Sequence, residues 1–230
     1  MAQHHRPFTL GARLAACAEL VREGAKAADV GTDHARLPIW LVLTGKAVSV
    51  MATDINELPL ASAQSNIEHY CAGDKVTTVL CDGLSGVSPN DADDIIIAGM
   101  GGDVITHILT EAPWLKDSAK RLILQPMSRA SLVRDWLYRS GFSFDEQAVL
   151  DGGRLYTVIC ACYSGECLEP TPEQSYGGAL LVKEDDLSRR YIRRAAKAMR
   201  EISFGLHHNG DEEAARQMVD AAGRMEERAK

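Results

Sequence analysis

Three aspartates, Asp29, Asp54 and Asp82, stand at or near the C-terminal ends of three successive strand-like runs. Carboxylates placed so can hold a nucleoside. One at the end of a second strand can accept hydrogen bonds from both ribose hydroxyls, and one after a third strand can accept from the exocyclic amine of an adenine. Asp29 lies inside the first run, two residues before Gly31, where it can hold the glycine turn or face a cationic group. Any one of them reads equally well as a loop residue, because Asp favours turns. Three in succession, with Gly31 after the first, point to a site.

The elements that must position them follow from periodicity. Leu10, Leu14, Cys17, Ala18 and Val21 recur at helical spacing and predict a helix over residues 9–23. Short apolar runs at 26–30, 47–53, 75–81, 94–98 and 121–125 predict strands, and helical patterns at 37–43, 58–70 and 131–140 follow three of them. Strands alternating with helices imply a parallel sheet covered on both faces, with ligands outside the carboxyl ends of its strands. The pattern then changes. Residues 142–150 and 155–162 are strand candidates separated only by Asp151-Gly-Gly-Arg154, a hairpin loop. Polar, Pro- and Gly-rich residues 164–178 predict a linker, and two helical patterns at 187–204 and 211–229 predict an antiparallel helical hairpin. The expected division is a sheet domain over 1–163, a linker over 164–178 and a helical hairpin over 179–230.

A nicotinamide-dependent oxidoreductase also places an acid about 20 residues beyond its glycine turn. Residues 31–36 read Gly-Thr-Asp-His-Ala-Arg, however, so the GxGxxG fingerprint is missing. A parallel sheet closed by an antiparallel hairpin resembles the class I, Rossmann-like methyltransferase fold instead. The run AADVGTDHARLP (27–38) resembles the first motif of the bacterial tRNA (adenine-22-N1)-methyltransferase family. ATDINELPLASAQSN (52–66), DGL (82–84), DDIIIAGMGG (93–102), LILQP (122–126) and RLYTV (154–158) resemble further segments of that family in order. Met127 departs from it, since a polar residue is expected after LQP.

The resemblance implies methyl transfer from S-adenosylmethionine to N1 of an adenine in tRNA. It implies that Asp29, Gly31, Thr32, Asp33 and His34 form the first cofactor loop. Asp54, Ile55 and Asn56 would then bracket ribose and adenine, with Asp82, Gly83 and Leu84 on the adenine's other side. Gly99, Met100, Gly101 and Gly102 would lie between cofactor and target base, with glycines letting backbone approach a flat ring. Asp33 is the candidate to stabilise positive charge on the methylated base, and a loop-capping role suits it equally. His34 reads as well as a hydrogen-bonded turn residue.

Net charge is −7, which disfavours an all-over nucleic-acid binder. The distribution matters more. Between residues 187 and 200, Arg189, Arg190, Arg193, Arg194, Lys197 and Arg200 occur with no acidic residue, on an arc of about 140° opposite Ile192 and Met199. Such a stripe can follow RNA phosphates, although a solvated helix face explains it too. Apolar residues make up 46% of the chain, yet no run approaches the roughly 20 residues that span a bilayer. With no apolar signal segment near residue 1, and six cysteines outside any CxxC spacing, a cytoplasmic protein without structural metal is expected. Competing readings are a methyltransferase for another RNA or a small molecule, and a non-catalytic nucleoside- or RNA-binding module.

Overall fold

A computed structural model describes residues 8–230. Five strands run parallel: β1 (Ala25–Val30), β2 (Ala47–Asp54), β3 (Val76–Leu80), β4 (Asp94–Gly101) and β5 (Arg121–Ser128). The hairpin strands β6 (Phe142–Asp151) and β7 (Arg154–Tyr163) complete a seven-stranded sheet in the order β3-β2-β1-β4-β5-β7-β6. β7 inserts antiparallel between β5 and β6. Strand order reverses between β1 and β4, so the crevice for a ligand opens at the C-terminal end of β1.

Helices cover both faces because strand side chains alternate. Ala27, Val50, Ile96 and Ile123 point to the face covered by α1 (Ala12–Leu20), α2 (Arg36–Leu43) and α3 (Glu57–His69). Ala28, Ile95, Ile97, Leu122 and Leu124 point to the other, under α4 (Gly102–Thr110) and α5 (Ala130–Ser140). The central strands are therefore apolar on both faces over most of their length, as buried parallel strands require. No helix among the described residues is long and apolar enough to cross a membrane.

Three segments differ from the sequence expectation. The first helix is shorter, starting at Ala12 and ending at Leu20. β4 and β5 are longer, because a bulge at Gly99 (φ +84) lets pairing continue from Ala98↔Gln125 to Gly101↔Ser128. The stretch expected as a linker contains a helix, α6 (Pro172–Gly177), followed by a 3-10 turn at Gly178–Val182. Its start is a capping box. The Gln174 N–H donates to Thr171 Oγ1 at 3.3 Å, and the Thr171 N–H donates to Gln174 Oε1 at 2.8 Å, with Pro172 in the first turn. Proline and glycine here mark a helix start and end, not a flexible tether.

The last two helices, α7 (Asp186–His208) and α8 (Glu212–Arg228), pack as a hairpin through Ile192, Ala196 and Met199 against Ala221, Ala222 and Met225. Asp185 caps α7 by accepting from the Ser188 N–H at 2.9 Å. Leu155 of β7 and Leu180 join this cluster and seat the pair on the β6–β7 hairpin.

A buried ion pair adds to that seat. Arg134 of α5 donates to both oxygens of Glu146 on β6, at 2.7 and 3.0 Å, with neither side chain exposed beyond 1%. The same guanidinium donates to the carbonyls of Ser175 (3.2 Å) and Tyr176 (2.8 Å) and to the Tyr191 hydroxyl (3.1 Å). Burial opposes the charge, but the Glu146 carboxylate more than offsets it and raises the Arg134 pKa further. Arg134 thus ties α5 and β6 to α6 and α7.

Candidate active site

The end of β1 turns sharply. Gly31 takes φ +74, and the N–H groups of Gly31 and Thr32 both donate to the Thr53 carbonyl, at 2.8 and 2.9 Å. This shared acceptor holds the ends of β1 and β2 together without a GxG loop. His34 and Ala35 follow with φ +59 and +50, two consecutive left-handed residues. Left-handed backbone is costly for residues with a Cβ, so the loop needs support. His34 supplies it: Nδ1 bonds the Ser62 hydroxyl, Nε2 lies 3.1 Å from Asp33 Oδ1, and its carbonyl accepts from Asn66 Nδ2 at 2.9 Å. Its ring therefore faces α3 and Asp33, and His34 does not line either of the cavities described next.

Two cavities meet at Gly31. The first, about 340 Å³, is lined by Gly31, Asp54, Ile55, Asn56, Asp82 and Gly83, among others. Asp54 Oδ1 accepts from the Asn56 N–H at 2.8 Å and from Asn56 Nδ2 at 3.3 Å, which fixes the carboxylate and leaves Oδ2 with no protein donor among the described residues. Ile55 (61% exposed) and Val104 (45%) supply apolar surface where a ring can pack. Leu84 is buried and lines an adjoining cavity with Asp82 and Gly83.

The second cavity, about 260 Å³, is lined by Arg13, Asp29, Gly31, Asp33, Arg36 and Gly99, among others. Burial pushes the Asp29 carboxyl up to about 6, against a smaller lowering by Thr32. A buried carboxylate with no ion partner among the described residues is suited to a cationic ligand group. The Met100 side chain lines the first cavity and lies so close to Gly31 that a Cβ there would overlap its terminal methyl.

The glycines of β4 have different reasons. Gly99 needs its positive φ and lines the second cavity. Gly102 is excluded from bearing a side chain by the Arg129 carbonyl, so backbone packing against the β5–α5 turn fixes it, independently of any bound base. Gly101 would place a Cβ 2.7 Å from Asp103 Oδ1.

Sequence reading missed Arg13, Arg36 and Gln125. Arg13 Nη1 donates to Gln125 Oε1 at 2.6 Å, and the Gly99 N–H donates to the same oxygen at 3.2 Å. Arg13 Nε also pairs with Asp151 at 3.1 Å. The bulge at Gly99 is thereby anchored to α1 and to the β6–β7 turn. A basic residue in the first helix facing the carboxyl end of the sheet is the only sequence signal for it.

The basic stripe on α7 divides. Arg193 donates twice to the Ala229 carbonyl, at 3.0 and 2.6 Å, and Arg200 forms a two-bond pair with Glu226. Both hold α8 to α7. Arg190 lies 4.0 Å from Asp186, while Arg194 donates to the Leu155 carbonyl at 2.6 Å and stacks over the Tyr191 ring. Lys197 is exposed, and Arg189 is half-buried.

Comparison with known proteins agrees with this geometry. The profile of the Methyltransferase domain family matches residues 10–159. The tRNA (adenine(22)-N(1))-methyltransferase of Bacillus subtilis is 37% identical over 153 residues, which span 66% of this chain and 64% of that enzyme's length. The crystal structure of the B. subtilis M1A22 tRNA methyltransferase TrmK superposes with a TM-score of 0.80 at 30% identity, covering 96% of this chain and 97% of that one. Streptococcus pneumoniae Sp1610, in complex with S-adenosyl-L-methionine, gives a TM-score of 0.79 at 30% identity, covering 93% and 98%. The sheet topology, the cavities at its switch point and these matches place the chain in the methyltransferase-domain family, among the tRNA (adenine-22-N1)-methyltransferases.

Proposed function

We propose that this chain transfers a methyl group from S-adenosylmethionine to N1 of adenine 22 in tRNA. The observation that carries the reading is the placement of Asp54 and Asp29 in two cavities that meet at Gly31. The residues present fit the cofactor. Asp54 Oδ2 is available for ribose hydroxyls, Ile55 and Val104 offer packing for adenine, Asp82 can accept from its amine, and Asp29 suits an ammonium. Arg13 and Arg36 line the same cavity as Asp29 and bring the charge that complements a carboxylate.

When bound, S-adenosylmethionine supplies a methyl group already activated on a sulfonium, so the protein's task is position and electrostatics. Gly99, Met100 and Gly101 form the surface that presents the target base. Neutral adenine offers its N1 lone pair without a general base, and no residue has to remove a proton. N1 is on the Watson–Crick edge, so the base must be unpaired or flipped out to reach the site. The product base is cationic, and Asp33, whose side chain is 83% exposed beside the Asp29 cavity, can stabilise that charge. The reaction belongs in the cytoplasm, and six unpaired cysteines agree with a reducing compartment.

Incubation with radiolabelled S-adenosylmethionine and unmodified total tRNA, followed by nucleoside analysis, is expected to place the label in 1-methyladenosine. Folded, cofactor-binding protein that transfers no label would sink the reading.

The Asp29 shift predicts a pH dependence. Cofactor binding needs the carboxylate, so affinity for S-adenosylhomocysteine falls as pH drops through about 6, approaching tenfold per unit below it. Asp29→Asn binds more weakly at pH 7 and loses that dependence between pH 5 and 7. Calorimetric titration across this range checks both, and an unchanged pH profile in the variant would remove Asp29 from the binding step. The sign for folding is opposite. With the folded pKa raised from 3.8 to about 6, the folded state binds more protons than the unfolded one across that window. The Asp29 contribution to stability therefore declines as pH rises through it.

A further inference from the structure

A cavity of about 580 Å³ is separate from the two cofactor cavities. It lies between the end of β5, the β6–β7 turn and the first half of α7. Arg129, Arg154, Arg190 and Arg194 line it, together with Tyr156 and Tyr191, and no carboxylate does. The acids that reach these arginines come from the rim. Asp103 pairs with Arg129 at 3.1 Å, and Asp186 lies 4.0 Å from Arg190, with both arginines about half exposed or more. Such exposed pairs exchange readily for a stronger anion. Arg194 is pre-set by its bond to the Leu155 carbonyl and by the Tyr191 ring, while Arg154 is exposed on the turn with no ion pair among the described residues.

The position is informative. Ser128 on the cleft wall pairs with Gly101, and the Arg129 carbonyl packs on Gly102, so the cleft adjoins the surface that presents the target base. Four guanidiniums in an acid-free groove match phosphodiester oxygens, which they can bind in a fork geometry. The Tyr156 ring at its wall can stack an unpaired base, while the buried Tyr191 ring backs Arg194.

We propose that this cleft grips the RNA sugar–phosphate segment flanking the target adenine, through Arg129, Arg154, Arg190 and Arg194. It rests on the reading of tRNA as substrate. It also moves the RNA contact from the outer face of α7 to the groove between α7 and the sheet. Arg193 and Arg200 then serve the helical hairpin, and Met127, exposed on the cleft wall, fits a groove that reads backbone and ring faces.

The test is the double variant Arg154→Ala/Arg190→Ala, whose exposed side chains support no core contact. Lys75→Ala/Lys116→Ala removes the same charge from exposed residues before the N-terminal ends of β3 and β5, away from the cleft, and is the control. Binding of unmodified tRNA is measured by filter retention at several salt concentrations, and binding of S-adenosylhomocysteine by calorimetry. The cleft variant is expected to weaken tRNA binding about tenfold or more and to flatten the salt dependence by about one to two in slope. The control stays near wild type, and cofactor affinity is unchanged in both. Wild-type tRNA affinity and salt slope in the cleft variant, with wild-type protein still methylating tRNA, would overturn the cleft and leave the function standing. Loss of inorganic phosphate binding without loss of tRNA binding would equally overturn it, by making the cleft a small-anion site. Wild-type protein that neither binds nor methylates tRNA would overturn both.

Discussion

Asp54→Ala is expected to weaken S-adenosylhomocysteine binding by about a hundredfold or more, since two charge-assisted hydrogen bonds are lost together. The carboxylate is held for this purpose. One oxygen is committed to the Asn56 backbone and side chain, and the other is left for the ligand. Alanine removes the ribose acceptor and also frees the Asn56 turn. Asp54→Asn separates these effects, because its amide oxygen can keep the turn while its charge is gone. Calorimetry should therefore rank affinity as wild type, then Asn, then Ala, with melting temperatures of the unliganded proteins nearly equal. Unchanged affinity in the alanine variant would remove Asp54 from the site.

The second large effect is on stability. Arg134→Ala leaves the buried Glu146 carboxyl without its ion partner, with only the Thr157 hydroxyl at 3.4 Å, and removes the donor to the carbonyls of Ser175 and Tyr176. Breaking a buried pair in this way costs about 3–5 kcal/mol, a large share of a domain's total stability. Replacing both partners, as in Arg134→Met/Glu146→Leu, removes the uncompensated charge and is expected to be more stable than either single variant. Denaturant unfolding followed by circular dichroism measures wild type, Arg134→Ala, the double variant and its two single variants. An Arg134→Ala midpoint equal to that of wild type would show that the network is dispensable.

The parts of this molecule legible in its sequence are those governed by local rules. Apolar periodicity located the strands and helices, because burial on two faces leaves consecutive apolar residues such as Ile95-Ile-Ile97. The strand-end aspartates were visible because the topology fixes which end of a parallel strand meets a ligand. Contacts between residues far apart in the chain were not. Nothing near Arg13 announces Gln125, 112 positions away, and nothing in the α7 stripe shows that Arg193 reaches the Ala229 carbonyl. Gly102 reads as an opening for a base until the Arg129 carbonyl is seen against it. At residues 164–178, composition suggested a tether, but Thr171-Pro-Glu-Gln174 is a helix start whose turn is then tied down by Arg134.

That tie bears on the order in which the chain is completed. Synthesis from the N-terminus delivers Arg134 and Glu146 some 30 to 60 residues before Ser175, Tyr176 and Tyr191. Until those residues emerge from the ribosome, the guanidinium has only part of its bonding partners and no shelter from water. The distal edge of the sheet therefore stays open while its own sequence is already finished, and the later α6 and α7 close it. The arginine-lined cleft has one wall early, with Arg129 and Arg154, and gains the other only when α7 brings Arg190 and Arg194.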